Sequence, residues 1–146
     1  MDGIIFDVDG TLWDSVEVVA ESWNLAIKEN SDLEPNLNRE ILQGLFGKTM
    51  DEIAAGVFPN LDPDSRRKLM DICFDYENRY LETHPGVYYE GVMDTLKELA
   101  LEYPLFIVSN CQCGYIEVMI KAQAWNHISK ISFVLARRRL PKTRRF

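Results

Sequence analysis

The segment Gly3-Ile4-Ile5-Phe6-Asp7-Val8-Asp9-Gly10-Thr11-Leu12 decides the fold. Its apolar part consists of β-branched and aromatic residues without a polar face, which predicts a strand from Ile4 to Phe6 that is buried on both sides of a sheet. Asp7 and Asp9 follow at the carboxyl end of that strand, where open α/β sheets bind their ligands. The segment therefore predicts an α/β protein with a functional site at this strand end.

The spacing of the two acids suggests a chemical role. Alternate strand residues point to the same side, so Asp7 and Asp9 are expected to face one small volume. One carboxylate could attack an electrophile or bind a metal there while the other transfers a proton. Gly10 would let the chain turn close to a bound anion, and Thr11 adds a hydroxyl donor. A plain Asp-Gly turn between a strand and a helix, which Asp9 merely supports, is the alternative explanation.

Composition bounds the possible classes of protein. A chain of 146 residues that is 47% hydrophobic is expected to form one domain with a proper core, and it is short for two full domains. No apolar run approaches the roughly 20 residues that span a bilayer, and the chain opens on a strand rather than a signal region, so we expect a cytoplasmic protein without a membrane segment. Three cysteines, two of them Cys111 and Cys113, fit neither a disulfide framework nor a common zinc motif and are interpreted as reduced thiols.

The charge is distributed unevenly along the chain. The formal net charge is −7, yet six of the last ten residues, Arg137 to Phe146, are basic. The rest of the chain carries 10 basic against 23 acidic residues. An acidic body argues against general nucleic-acid binding, because phosphate contacts need a basic surface. The basic tail alone could still attract polyanions.

Helical patterns fill residues 16 to 83, and strand patterns lie on both sides of them. Asp14 or Ser15 can cap the first helix, and a Thr49–Glu52 capping box and the Asp62-Pro63 pair each start another. Strands are predicted at Pro104 to Val108 and at Lys130 to Ala136, after helical segments at about 91–101 and 114–125. This order predicts an α-helical cap, residues 16–85, inserted into an α/β core formed by residues 1–15 and 86–146.

At this point the residues match a known pattern. Asp7-Val8-Asp9-Gly10-Thr11 resembles the first motif of the haloacid dehalogenase superfamily, and the run through Leu12, Asp14 and Ser15 resembles its phosphoglycolate phosphatase-like branch. The resemblance implies a Rossmann-like parallel sheet with an inserted helical cap. It also implies that Asp7 is the nucleophile that forms an aspartyl-phosphate, that Asp9 is the general acid and base, and that Mg²⁺ bridges Asp7, the Asp9 main-chain carbonyl and the phosphate.

The same resemblance implies the kind of substrate. An acid at the second position is typical of the phosphoryl-transfer members and absent from the dehalogenases, so the expected substrate is a small phosphorylated metabolite, a phosphoglycolate-like phosphate monoester, with a phosphomutase as a close relative. Ser109-Asn110, after the predicted second strand, resembles the second motif, which holds the phosphoryl group. Both residues also simply favour turns. Gly47-Lys48 resembles a cap loop that reads the substrate in some relatives, or it is a helix-ending glycine with a solvated lysine.

The resemblance is incomplete towards the carboxyl end. Lys142 stands roughly where the third motif places a phosphate-binding lysine, although the lysine of a random basic tail is an equally good account. The fourth motif requires acids on a later strand, yet the last acidic residue is Glu117. With Asp7, one carbonyl and waters as ligands, the affinity for Mg²⁺ is expected to drop. We interpret the chain as the first two-thirds of such a phosphatase, a fragment or a frameshifted product.

The resemblance implies that the strand with the fourth motif pairs beside the first-motif strand, so its loss would leave Ile4 to Phe6 at an open sheet edge. An apolar unpaired edge promotes self-association. The alternative to an enzyme is therefore a non-catalytic protein that binds a partner, or another copy of itself, through that edge or through the basic tail.

Overall fold

The structure, a computed structural model, describes residues 3–122 and 131–133. In chain order the elements are β1 (Ile4–Phe6), β2 (Trp13–Asp14), α1 (Val16–Asn30), α2 (Arg39–Gln43), α3 (Met50–Val57), α4 (Pro63–Leu81), β3 (Val87–Tyr88), α5 (Val92–Glu102), β4 (Leu105–Ile107), α6 (Tyr115–Ala122) and β5 (Ile131–Phe133). Lys142 and the basic tail lie outside the described residues, as do the predicted helix beyond Ala122 and the predicted strand beyond Phe133.

A parallel three-stranded sheet confirms the predicted α/β class. The strand order is β1-β4-β5, with Ile5 opposite Phe106 and Phe106 opposite Ser132. Parallel neighbours need a crossover connection, and residues between β1 and β4 supply a long helical one. The pairing continues past β1, because the Val108 N–H donates to the Phe6 carbonyl at 3.0 Å. The carboxyl ends of β1 and β4 therefore lie side by side.

Strand β1 is less buried than predicted. Ile5 is 68% exposed, while Ile4 and Phe6 are half-buried. The prediction of burial on both sides is wrong, because alternate strand residues point to opposite faces and the face that Ile5 occupies stays open in the described part of the chain. Within that part, β1 pairs with β4 alone, whereas β4 lies between two neighbours and buries Leu105 and Ile107.

The predicted helix starts are confirmed by their capping contacts. The Val16 N–H donates to Asp14 Oδ1 at 3.1 Å, so Asp14 rather than Ser15 supplies the side-chain acceptor at the start of α1. Thr49 and Glu52 form the reciprocal capping box of α3. Asp62 accepts from two backbone N–H groups at the start of α4, which runs to Leu81. These contacts satisfy N–H groups that helices otherwise leave unpaired.

Two hydrophobic clusters form the core. The first joins buried residues of the helical region, among them Val19, Trp23, Ile27, Leu42, Ile53, Leu69 and Cys73. The second gathers around the sheet and includes Val8, Trp13, Leu81, Leu96, Leu105, Ile107, Tyr115 and Met119. Helix α4 contributes to both clusters, since Cys73 belongs to the first and Leu81 to the second. This long helix therefore connects the helical layer to the sheet.

A short antiparallel ribbon ties together the two segments that connect the helical region to the sheet. Trp13 pairs with Tyr88 and Asp14 with Val87. Gly86 lies at this crossing, where a β-carbon would come 2.8 Å from the Asp14 carbonyl oxygen, so only glycine allows the segments to approach so closely. Neither β2 nor β3 was predicted, because a strand of two residues is too short to show alternating apolar and polar residues. In the described residues, no helix is long and apolar enough to cross a bilayer.

Candidate active site

A cavity of about 340 Å³ opens at the carboxyl ends of β1 and β4. One wall comes from the strand ends and carries Asp7, Asp9, Ser109 and Asn110. Other lining residues come from the helical region, among them Trp23, Phe46, Lys48, Phe74 and Glu77. The volume lies within the range of small-molecule sites, and the position follows the rule for ligand sites in open α/β sheets. The structure thus brings four of the predicted site residues to one cavity.

The remaining predicted residues are placed differently. Gly10 has φ of 74° in the turn after Asp9, where the Thr11 N–H donates to the Val8 carbonyl at 3.1 Å. Gly10 and Thr11 are exposed and are not among the residues that line the cavity. Both serve the turn in this structure. Ser109 Oγ accepts the Cys111 N–H at 3.3 Å, a turn contact that leaves the Ser109 hydroxyl proton available for another acceptor.

Asp9 is held by a buried hydrogen-bond network that the sequence analysis missed. The hydroxyl of Tyr115, the first residue of α6, donates to Asp9 Oδ1, and Ser15 Oγ donates to the same oxygen at 3.3 Å. Tyr115 Oη in turn lies 2.8 Å from Ser15 Oγ and accepts the Trp13 Nε1–H at 3.2 Å. Because Ser15, Trp13 and Tyr115 are each at most 2% exposed, the network fixes the Asp9 carboxylate in one orientation.

Burial raises the pKa of the Asp9 carboxyl, and the negative charge of Asp7 raises it further, although the hydrogen bonds from Tyr115 and Ser15 act in the opposite direction. Burial also raises the pKa of Tyr115, so its hydroxyl stays protonated and remains a donor to Asp9. A carboxyl with a raised pKa can carry a proton at a higher pH than an exposed one, as a general acid requires. Asp7, by contrast, is exposed to the cavity.

Glu77 is another cavity residue that was not predicted as part of the site. It projects from α4, is 4% exposed, and accepts the Trp23 Nε1–H at 2.7 Å. Burial raises its pKa to about 8, with hydrogen bonds from Gln112 and Trp23 opposing the rise and the charge of Asp9 adding to it. The carboxyl is therefore largely protonated at neutral pH. A signal existed in the sequence, since Glu77 lies four residues from both Cys73 and Leu81 and thus interrupts the apolar stripe of α4.

Gly47 and Lys48 reach the same cavity from the loop between α2 and α3. Gly47 has φ of 84°, and the side chain of Lys48 is exposed. Both interpretations of this pair therefore stay open, because a glycine in the left-handed region and an exposed lysine suit a helix end as well as a substrate loop.

The donors for a metal ion come from the strand end. Asp7 offers an exposed carboxylate and Asp9 a main-chain carbonyl, and hard oxygen donors of this kind suit Mg²⁺, which uses one or two protein carboxylates together with substrate phosphate. Across residues 3–122 and 131–133, no group of three acidic, histidine or cysteine side chains is arranged to hold a metal. A Mg²⁺ ion held by the Asp7 carboxylate and the Asp9 main-chain carbonyl would therefore need water and phosphate as its remaining ligands.

Comparison with known proteins defines the class. The family profile described as haloacid dehalogenase-like hydrolase matches residues 4–142. The chain therefore belongs to the haloacid dehalogenase-like hydrolases, a family whose members are generally phosphatases. No curated protein sequence matches the chain significantly.

Solved structures share the fold. A predicted phosphoglycolate phosphatase from Haemophilus somnus 129PT superposes with a TM-score of 0.77 at 24% identity, over 97% of this chain and 65% of that one. A haloacid dehalogenase-like hydrolase from Streptococcus pneumoniae gives 0.72 at 21% identity, over 92% and 60%. CbbY from Rhodobacter sphaeroides, solved with xylulose-(1,5)bisphosphate, gives 0.67 at 17%, over 84% and 56%. The chain thus spans between 56% and 65% of the length of these structures.

Proposed function

We propose that the chain is a Mg²⁺-dependent phosphatase of small phosphorylated metabolites that acts through an aspartyl-phosphate on Asp7. The observation that supports this proposal most strongly is that Asp7 and Asp9 share one cavity with Ser109 and Asn110 from the neighbouring parallel strand. Family membership supports phosphate chemistry in general. The resemblance of the first motif to the phosphoglycolate phosphatase-like branch supports phosphate monoesters as substrates.

In the proposed mechanism, Asp7 attacks phosphorus and Asp9 protonates the leaving oxygen. The P–O bond to the leaving group breaks as the bond to Asp7 forms, and the alcohol departs with the proton from Asp9. Asp9 then takes a proton from the water that attacks phosphorus, which releases inorganic phosphate and restores Asp7. Ser109 and the Asn110 main-chain N–H would hold the phosphoryl oxygens, and Lys142, which lies outside the described residues, is proposed as a further contact.

Mg²⁺, when bound, would neutralise charge on the phosphoryl oxygens and orient the phosphate toward Asp7. The Asp7 carboxylate and the Asp9 main-chain carbonyl would hold it. We further propose that residues 1–15 and 86–146 act as the catalytic core and residues 16–85 as a cap. The two hydrophobic clusters, one in the helical region and one around the sheet, support this division.

The proposed function predicts metal-dependent release of phosphate. Purified protein is expected to hydrolyse p-nitrophenyl phosphate at millimolar Mg²⁺, because weak binding of the ion is compensated by its concentration. Removing the ion with EDTA should abolish the release, and restoring excess Mg²⁺ should recover it. Colorimetric detection of nitrophenol measures the activity after removal of the ion and after its restoration. Hydrolysis that continues unchanged in EDTA would contradict a role for the metal, and the absence of turnover at every Mg²⁺ concentration would contradict the phosphatase proposal for this chain.

A second candidate function follows from the exposure of Ile5. We propose as the alternative that β1 pairs with another copy of the chain in a non-catalytic assembly. This is supported by the 68% exposure of Ile5 and by the single neighbour of β1 among the described strands. Lysine is a residue that natural proteins place on open strands to prevent such pairing.

The alternative predicts a concentration-dependent mass. Multi-angle light scattering should show dimers or larger species for the native chain and monomers for Ile5→Lys. Leu101→Lys is the matched control, since Leu101 is 79% exposed but belongs to α5 rather than to a strand. A native monomer at every concentration, or an equal response of the two variants, would rule out pairing through β1.

A further inference from the structure

Glu77 is a buried acid that the proposed mechanism does not use. Among the described residues, the polar or charged side chains that are buried are Ser15, Ser22 and Glu77. Ser15 belongs to the network around Asp9, and Ser22 donates to the Val19 carbonyl at 2.8 Å within its own helix. Glu77 instead lines the same cavity as Asp7 and Ser109. When the phosphate of a substrate lies against Asp7 and Ser109, a leaving group that fills the rest of the cavity would contact the lining residues of the helical region, Glu77 among them.

The surroundings of Glu77 favour a cation. The aromatic side chains of Trp23, Phe46 and Phe74 line the same cavity, and the Trp23 and Phe74 rings lie edge to face with their centroids 5.9 Å apart. Aromatic faces attract ammonium groups, and a nearby carboxylate adds a direct ion pair. The Trp23 Nε1–H engages Oε2 of Glu77 at 2.7 Å and thereby orients the carboxyl. An ammonium delivered by the substrate would supply the counter-charge that makes ionisation of a buried acid favourable.

The charge of the whole cavity points the same way. Its lining carries three acids, Asp7, Asp9 and Glu77, against one base, Lys48. A leaving group with a carboxylate would add a negative charge near Asp7 and would disfavour ionisation of the two buried carboxyls, whereas an ammonium would favour it. Lys48 offsets the negative charge only weakly, because its side chain is exposed and exposed charges are screened by water and salt, whereas interactions with a buried charge are screened much less.

We propose that Glu77 is the specificity residue of the cavity, and that it selects phosphate monoesters whose leaving group carries an ammonium over those whose leaving group carries a carboxylate. The proposal rests on the proposed phosphatase function and narrows it. It also departs from the phosphoglycolate-like substrate that the first-motif resemblance implies, since the leaving group of phosphoglycolate carries a carboxylate.

Three phosphonates of equal reach test the proposal without turnover. They are 3-aminopropylphosphonate, 3-hydroxypropylphosphonate and 3-phosphonopropionate, which end in an ammonium, a hydroxyl and a carboxylate respectively. Calorimetry with Mg²⁺ present should show the native chain binding the amine at least about 10-fold more tightly than the carboxylate, the size expected for one close charge pair. Equal affinities, or tighter binding of the carboxylate, would overturn the proposal.

Glu77→Gln is the informative variant, because the amide oxygen can still accept the Trp23 Nε1–H while the side chain can no longer ionise beside a bound ammonium. Its amine-to-carboxylate preference should fall to within about 3-fold of unity, and its affinity for the hydroxyl compound should stay within about 3-fold of the native value. Glu21→Gln is the matched control, since Glu21 is exposed on α1, outside the cavity, and accepts one hydrogen bond from Tyr80 at 3.1 Å. An unchanged preference in Glu77→Gln would overturn the assignment even if the native chain prefers the amine.

Failure of this inference differs from failure of the proposed function. If the hydroxyl compound binds and p-nitrophenyl phosphate is hydrolysed, the phosphatase proposal stands whatever the amine preference. If none of the three phosphonates binds and no hydrolysis occurs, both proposals are overturned together.

Discussion

Asp7→Asn is expected to abolish phosphate release. The variant keeps the size of the side chain but replaces the attacking carboxylate with an amide that is a poor nucleophile. Removal of a nucleophile that acts as one unit with its general base typically reduces kcat by several orders of magnitude, and we expect a loss of at least about 10⁴-fold here. Since Asp7 is exposed at a strand end, its replacement should leave the fold intact. The measurement is steady-state hydrolysis of p-nitrophenyl phosphate at saturating Mg²⁺.

Asp51→Asn is the matched control for this variant. Asp51 is also an exposed aspartate, in the first turn of α3, and it is not among the residues that line the cavity. The control should retain native activity. If Asp7→Asn keeps more than about a tenth of the native rate, the attack does not come from Asp7 and the assignment of the nucleophile is wrong.

Trp13→Ala is expected to cause the largest loss of stability. Trp13 is fully buried, and its ring packs against the Tyr88 and Tyr115 rings with centroid distances of 6.0 and 5.8 Å. Its Nε1–H donates to Tyr115 Oη. Truncation of a buried tryptophan to alanine costs about 3–5 kcal/mol of unfolding free energy, a large share of the about 5–15 kcal/mol that holds a typical domain together. Urea unfolding followed by tryptophan fluorescence and circular dichroism measures the loss.

Two further variants separate the contributions of Trp13. Trp13→Phe keeps most of the apolar contact and loses the N–H donor, so it should cost less than the alanine variant by about 2 kcal/mol. Tyr89→Ala removes an aromatic side chain that is 43% exposed next to the ribbon, and we expect it to cost less than about 1 kcal/mol. Equal losses for Trp13→Ala and Tyr89→Ala would show that the ribbon does not depend on the buried indole.

Local signals explain why much of the helical region could be predicted. Capping residues act over three or four positions, so the Thr49–Glu52 box and the Asp62-Pro63 start can be read directly from the chain, and both are present in the structure. Apolar residues that recur every three or four positions predict one buried helix face, and three of them, Val19, Trp23 and Ile27, are buried in α1. These features depend on neighbours along the sequence and not on the rest of the fold.

Features that depend on distant neighbours could not be predicted in this way. The exposure of Ile5 is set by what packs on each face of the sheet, and an apolar run carries no information about those layers. The hydrogen bond from Tyr115 to Asp9 joins residues 106 positions apart, so no local sequence pattern can predict it. Glu77 was detectable only as an acid on an apolar stripe, and its place in the cavity depends on the packing of α4 against α1, α3 and α6.

The structure brings predicted site residues together where topology alone determines their position. Asp7, Asp9, Ser109 and Asn110 each follow a parallel strand, and the carboxyl ends of parallel neighbours meet at one edge of a sheet. Gly10 and Thr11 follow the same strand but turn away from the cavity, because the backbone closes a tight turn through the Val8 carbonyl. Proximity in sequence to Asp9 was therefore insufficient to place them at the cavity.

Trapping of the covalent intermediate tests the central claim most directly. The native chain is mixed with Mg²⁺ and a phosphate monoester labelled at phosphorus, quenched in acid within the first turnover, digested and mapped by mass spectrometry. Our account predicts label on the peptide that contains Asp7, at the side chain of Asp7, and none in Asp7→Asn. Release of phosphate by a protein that never carries label on Asp7, or label at another residue, would contradict it.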